Sequence, residues 1–237
     1  MILIKPSYKI LRFPETPLED LEEVARTCYK SEDKIGPGTA EKMARALKER
    51  HHGAMLEFGG DSCVHFLCDR GVSHELVRHR LCSFAQESTR YCNYSKDKFG
   101  NQLTFVIPPW FPEAEEGTYE LFGKDAFLLE GQIEPQGKAG TRCFEHSETC
   151  FPWIMSLLRT EEDYLELIKE GQSPQQARAV LPNSLKTEIC VKANTREWMH
   201  IFFQRCANTA HPQMRELMVP LAKEFNERCP VLYEEWA

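Results

Sequence analysis

The chain has 237 residues, 42% of them hydrophobic, enough to bury a sizeable core in one large domain or two small ones. Its formal charge of −7 argues against a general nucleic-acid binder, because affinity for a phosphate backbone needs net positive surface. No apolar run approaches the length of a membrane span and no signal peptide is read, so a soluble protein of the reducing cytoplasm, with no membrane partner, is expected.

In chain order, Thr16-Pro17 supplies a cap and a first-turn proline ahead of a helical stripe formed by Leu18, Leu21, Val24, Ala25 and Cys28. Thr39 begins a second predicted helix through Met43 and Leu47. Ser62 to Cys68 reads as a strand with Val64, Phe66 and Cys68 on one face, although Cys63 and Leu67 make the other face partly apolar. Ser73 is the predicted cap of a short helix that ends in Arg78-His79-Arg80. Gln102 to Ile107 is a further predicted strand, closed by Pro108-Pro109. From Pro108 to about Thr141 the chain is rich in Gly, Pro and Glu and reads as an excursion on the surface.

Between about Phe144 and Gly171, the residues Trp153, Leu157, Leu158, Tyr164, Leu165 and Ile168 predict one long or broken helix, interrupted at Pro152. Ser173-Pro174 opens a short helix that carries Arg178 and stops at Pro182. Lys186 to Lys192 is a strand with Thr187, Ile189 and Val191 on one side. Thr195 is the expected cap of a helix reaching Asn208, and Pro212 starts the last helix through Met214, Leu217, Met218, Leu221 and Phe225. Mixed strands with segregated helices give an α+β fold, a mixed sheet with flanking helices, in a single domain over 1–237.

The chemistry concentrates between Arg78 and Arg90. In an extended stretch residues two apart share a face, so Gln86, Ser88 and Arg90 can offer an amide, a hydroxyl and a guanidinium to one ligand. That trio suits a nucleotide phosphate, which arginine grips in bidentate fashion. Arg78 and Arg80 flank His79 with permanent cations, so the imidazole should resist protonation and stay able to bond a cofactor ring. A bare basic triplet also fits a solvated helix end. On a helical wheel Arg205 falls at the border of an apolar face made by Trp198, Met199, Phe202, Phe203 and Cys206, close to Trp198 and Ile201. A guanidinium there needs an anion or polar ligand, or else a buried ion pair with a distant carboxylate.

Ten cysteines stand at 28, 63, 68, 82, 92, 143, 150, 190, 206 and 229, none with the two-residue spacing of a zinc knuckle or redox motif. Cys82 and Cys92, beside the motif, read as packed thiols rather than nucleophiles. No Gly-x-Gly-x-x-Gly turn is present, so a flavin would not be held in the Rossmann manner.

Arg78-His79-Arg80, seven residues, then Ser88 resembles the signature of the flavin-dependent thymidylate synthases. The ARTCYKS stretch from Ala25, HHGAML near His52, CDRGVSHELV leading into Arg78, ARAVLPNSLKTEICVKAN from Ala177, and HPQM at His211 resemble that family in order and spacing. The resemblance implies an enzyme that methylates dUMP reductively to dTMP, with methylenetetrahydrofolate as carbon donor and FAD reduced by NADPH. It also implies a homotetramer whose sites are shared between subunits. Position by position it implies dUMP contacts from Glu75, Leu76, Val77, Arg78, Gln86, Glu87, Ser88, Thr89, Arg90, Arg178 and Arg205. Arg205 is the implied catalytic residue, favouring the ionised, nucleophilic uracil. For FAD it implies Cys28, His52, Ala54, Arg78, His79, Arg80, Gln86, Asn194, Arg196 and His200. Ser88 is assigned to substrate binding, since no activating base is evident beside it.

The chain departs from the family after His52, where relatives show a His-Glu pair and a second histidine while this chain has Gly53, Phe58, Gly59 and Gly60. Gln86 stands where many members have glutamate. These departures keep open a non-catalytic descendant that binds flavin or nucleotide, and an enzyme acting on another pyrimidine nucleotide. A single-strand nucleic-acid module using Arg78, Arg80, Arg90, Phe84, Tyr91 and Tyr94 is the reading opposed by the net charge.

Overall fold

A computed structural model describes residues 1–122, 126–130, 141–144 and 147–236, with side chains for 1–120 and 147–236. The chain opens with β1 (Ile2–Ile4) and β2 (Ser7–Arg12), then α1 (Pro17–Tyr29), α2 (Thr39–Glu49) and α3 (Gly53–Leu56). Next come β3 (Asp61–Asp69), α4 (Arg70–Leu76), β4 (Ser83–Gln86) and β5 (Thr104–Val106). They are followed by β6 (Gly117–Phe122), β7 (Ala126–Glu130), β8 (Thr141–Phe144), α5 (Phe151–Lys169) and α6 (Pro174–Ala177). The chain ends through β9 (Lys186–Asn194), α7 (Thr195–Arg205), α8 (Pro212–Arg228) and α9 (Pro230–Tyr233). Among the described residues no helix is long and apolar enough to cross a membrane. The fold is α+β with mixed strand pairing, as expected.

Two compact units divide the chain: Met1–Ser7, Leu67–His74 and Gln86–Ile189 form the first, and Tyr8–Phe66, Glu75–Ala85 and Cys190–Ala237 the second. In the first, a five-stranded sheet runs β5-β1-β6-β7-β8. Here β1 pairs parallel with β5 and antiparallel with β6, and β7 pairs antiparallel with β6 and β8. Leu3, Phe105, Tyr119, Ile154, Leu158 and Tyr164 are core residues of this unit. The second unit packs helices around a ring cluster in which Phe225 meets Phe13, Trp198, Phe202 and Tyr233 at centroid distances of 5.1 to 5.2 Å. The other sheet has four strands in the order β2-β3-β9-β4.

Along β3 and β9 the buried residues alternate as expected, with Val64, Phe66 and Cys68 on one and Thr187, Ile189 and Val191 on the other. Several boundaries differ. α4 begins at Arg70, and its cap is Asp69, whose Oδ1 accepts the Val72 N–H at 2.7 Å; Ser73 lies inside the helix and donates to the Arg70 carbonyl at 3.0 Å. The helix stops at Leu76, so Arg78-His79-Arg80 lies in the turns beyond it. α7 is capped by Asn194, one residue before the expected Thr195, and ends at Arg205 rather than Asn208. Pro152 does not interrupt α5, because it sits in the first turn, where no intrahelical N–H is lost. α8 is followed by α9. The expected excursion after Pro108 contains β6, whose Tyr119 is fully buried beside β1; residues 123–125 and 131–140 lie outside the described residues.

Candidate functional site

The second unit holds one group of candidates together. His79 is buried and its Nε2 accepts from the Arg205 Nε at 3.0 Å. On its other side Nδ1 lies 3.6 Å from Glu197 Oε1. The Arg205 Nη1 donates to Glu75 Oε2 at 2.6 Å and Nη2 to the Glu75 carbonyl at 3.0 Å. The His200 ring stands edge-on to His79 with centroids 6.0 Å apart, and the Cys82 thiol is 4.0 Å from Glu197 Oε1. α7 supplies Glu197, His200 and Arg205, while the turns after α4 supply His79.

Burial, then the Arg205 charge and His200, lower the His79 pKa to about 4, so the ring is neutral at pH 7. The expected direction is right, but its cause is different: Arg78 and Arg80 are exposed, and neither is among the groups that shift it. Burial raises Glu197, offset by His200 and Arg196. It also pushes Cys82 up to about 12, with Glu197 adding to the rise, so this thiol is no nucleophile at neutral pH. Arg205 shows the ion pair that the wheel left open, with Glu75 as its carboxylate. The wheel's apolar face is also rotated: Trp198, Ile201 and Phe202 are buried, whereas Phe203 is 74% exposed.

The departure after His52 has a local explanation, because its glycines meet the start of α7. A Cβ on Gly53 would lie 3.0 Å from the Arg196 guanidinium, which instead donates to Glu57 Oε1 at 2.6 Å. A Cβ on Gly59 would come within 2.8 Å of Thr195 Oγ1, which donates to the Gly59 carbonyl at 2.9 Å. Gly60 has φ of +80°, a left-handed conformation that other residues rarely adopt. Asn194 Oδ1 accepts the Glu197 N–H at 2.9 Å as the α7 cap. Cys28, His52 and Ala54 are exposed and stand outside the His79 group, whereas Leu76 is buried in packing. Arg78 and Arg80 are exposed donors.

The other candidates belong to the first unit. Gln86 is the last residue of β4, and its amide donates to Ser73 Oγ at 2.9 Å and Thr187 Oγ1 at 3.2 Å. Beyond it the chain is not extended. Ser88 closes a turn, its Oγ accepting the Arg90 N–H at 3.3 Å and its carbonyl the Cys92 N–H at 2.9 Å. Gln86, Ser88 and Arg90 therefore do not form one strand face. Glu87 is held by Lys186 at 3.0 Å and by the Tyr94 hydroxyl at 3.2 Å. Arg178 is exposed and donates to the buried Thr89 hydroxyl at 3.3 Å. Sequence reasoning missed Lys186 and Glu197; the signal for Glu197 was its place on α7 two turns before Arg205, but a single glutamate in a charged helix start carries no mark of burial.

Among solved structures, a UMP/dUMP methylase PolB from Streptomyces cacaoi bound with 5-Br dUMP shares the fold, with a TM-score of 0.71 and 19% identity over 99% of this chain and 96% of that one. A flavin-dependent thymidylate synthase of Corynebacterium aurimucosum is 31% identical over 220 residues, covering 91% of this chain and 78% of the relative. The corresponding protein of Corynebacterium diphtheriae is 29% identical over 226 residues, 93% of this chain and 80% of that protein. The family model of the thymidylate synthase complementing proteins, Thy1, matches residues 9–231, and the chain belongs to that family.

Proposed function

We propose that this protein converts dUMP to dTMP by reductive methylation, taking carbon from methylenetetrahydrofolate and using FAD reduced by NADPH. The observation that carries the reading is the family match over residues 9–231. In this reading Arg205 is the catalytic residue. Its N–H groups contact the uracil and favour the ionised base, whose carbon is then the nucleophile. Gln86, Glu87, Ser88, Thr89, Arg90 and Arg178 hold the nucleotide, with exposed Arg90 and Arg178 suited to its phosphate.

The donor set fits FAD: Arg78, Arg80, Arg196 and His200 are exposed and cationic or hydrogen-bonding, as a diphosphate and a flavin edge require. When bound, FAD supplies the hydride chemistry, and the protein supplies orientation and electrostatics. His79 is occupied on its Nε2 by Arg205, so its part is neutral and local. Cys28, His52, Ala54, Gln86 and Asn194 complete the proposed cofactor set, and Glu75, Leu76, Val77 and Arg78 the proposed nucleotide set. Assembly as a homotetramer in the cytoplasm completes the reading, and the nine described cysteines are all free thiols.

The test is dTMP formation under anaerobic conditions from dUMP, methylenetetrahydrofolate and NADPH, with and without added FAD. Product that depends on FAD is expected, and Arg205→Ala should abolish it while FAD stays bound. No product from a protein that binds FAD and dUMP overturns the reading. The PolB resemblance favours one second reading, methylation of UMP, which the same assay with UMP in place of dUMP separates.

A further inference from the structure

On the reading that Arg205 contacts the nucleotide base, we propose that Glu197 is a positioning residue that acts through His79 to hold Arg205 in its working orientation. The Arg205 Nε–H donates to His79 Nε2 at 3.0 Å, so that nitrogen must be unprotonated. A neutral ring then carries its proton on Nδ1, the atom 3.6 Å from the Glu197 carboxylate. The carboxylate favours this tautomer. The other tautomer would set the Nε2–H against the Arg205 Nε–H, donor against donor, and turn the Nδ1 lone pair toward a negative charge.

Glu75 fixes the rest of the guanidinium, through Nη1 to its carboxylate at 2.6 Å and Nη2 to its carbonyl at 3.0 Å. Three of the five N–H groups of a planar fork are thus committed, and its plane is set from two sides. With those three bonds kept, a uracil must take the remaining hydrogens of Nη1 and Nη2, so the direction in which the base is gripped depends on the His79 tautomer. Glu197 is itself held rigidly, 5% exposed in the first turn of α7, with its N–H bonded to Asn194 Oδ1. A carboxylate that orients a histidine, which in turn orients the functional group, is the logic of outer-shell partners at metal and acyl-transfer sites.

The test is Glu197→Gln, nearly identical in shape, whose amide N–H can donate to Nδ1 and so reverse the tautomer. With imidazole-15N-labelled histidine, NMR should show the His79 proton on Nδ1 in the native protein and on Nε2 in the variant. The turnover number for dTMP should fall about 10- to 100-fold with FAD content unchanged. Glu197→Asp, which keeps the carboxylate, should keep the native tautomer and recover much of the rate.

A native proton on Nε2, or a Glu197→Gln protein with native turnover, overturns the proposal. So does loss of FAD in step with loss of rate, which would make Glu197 a cofactor support. Should Glu197→Gln fail to fold, the native tautomer and the Glu197→Asp rate decide. If Arg205→Ala alone makes dTMP at the native rate, the underlying reading of Arg205 fails, an outcome distinct from all of these.

Discussion

His79 ties the proposed chemistry to stability. Its ordinary pKa is 6.5 and its folded value is about 4, so between these pH values the unfolded chain takes up a proton that the folded chain refuses. Its contribution is fully present above about pH 6.5, declines as pH falls, and is gone below about pH 4. His79→Gln keeps an acceptor toward Arg205 but does not titrate. Urea unfolding at pH 7 and pH 4.5 should therefore show the native protein losing about 1–3 kcal/mol more than the variant over that interval. An equal loss in both would mean that His79 is already solvated. At this scale the sequence shows which residues carry charge near the motif, but not their partners. Glu75 and Arg205 are 130 positions apart, and no local pattern announces that they meet.

Elements were more legible than their ends. The stripes of α2 and α8, that of α1 at Leu21 and Ala25 though not at exposed Cys28, and the alternation of β3 and β9 follow from apolar spacing, since burial of one face drives both patterns. The caps were misplaced because Ser73 and Thr195 are good capping types beside better-placed Asp69 and Asn194, and only geometry tells which oxygen reaches an N–H two or three residues on. β6 was missed because its Gly, Glu and Thr suggest a turn, while its place in the sheet comes from pairing with β1. Asp69 is the most informative of these corrections, since α4 ends just before the Arg78 motif. Asp69→Ala should lower unfolding stability by about 0.5–2 kcal/mol, read as a shifted urea midpoint. A shift near zero would show that the α4 start is satisfied by other acceptors.

At the scale of the whole chain, the net charge of −7 sets an expectation that the local arginines do not change. Single-stranded oligonucleotides should fail to bind even at low salt in a fluorescence-anisotropy titration, whereas dUMP should bind. Salt-sensitive oligonucleotide binding would revive the nucleic-acid reading of Arg78, Arg80 and Arg90. The two compact units also carry a consequence for folding. The chain passes from one to the other at Ser7, Phe66, His74, Ala85 and Ile189, so neither unit is a continuous stretch and no single cut releases either. Each must gather segments far apart in sequence before its core closes, a topology of non-local contacts that folds slowly. Cys190–Ala237 leaves the ribosome after every segment of the first unit, so the second unit waits for that stretch while the first already has all its segments in hand.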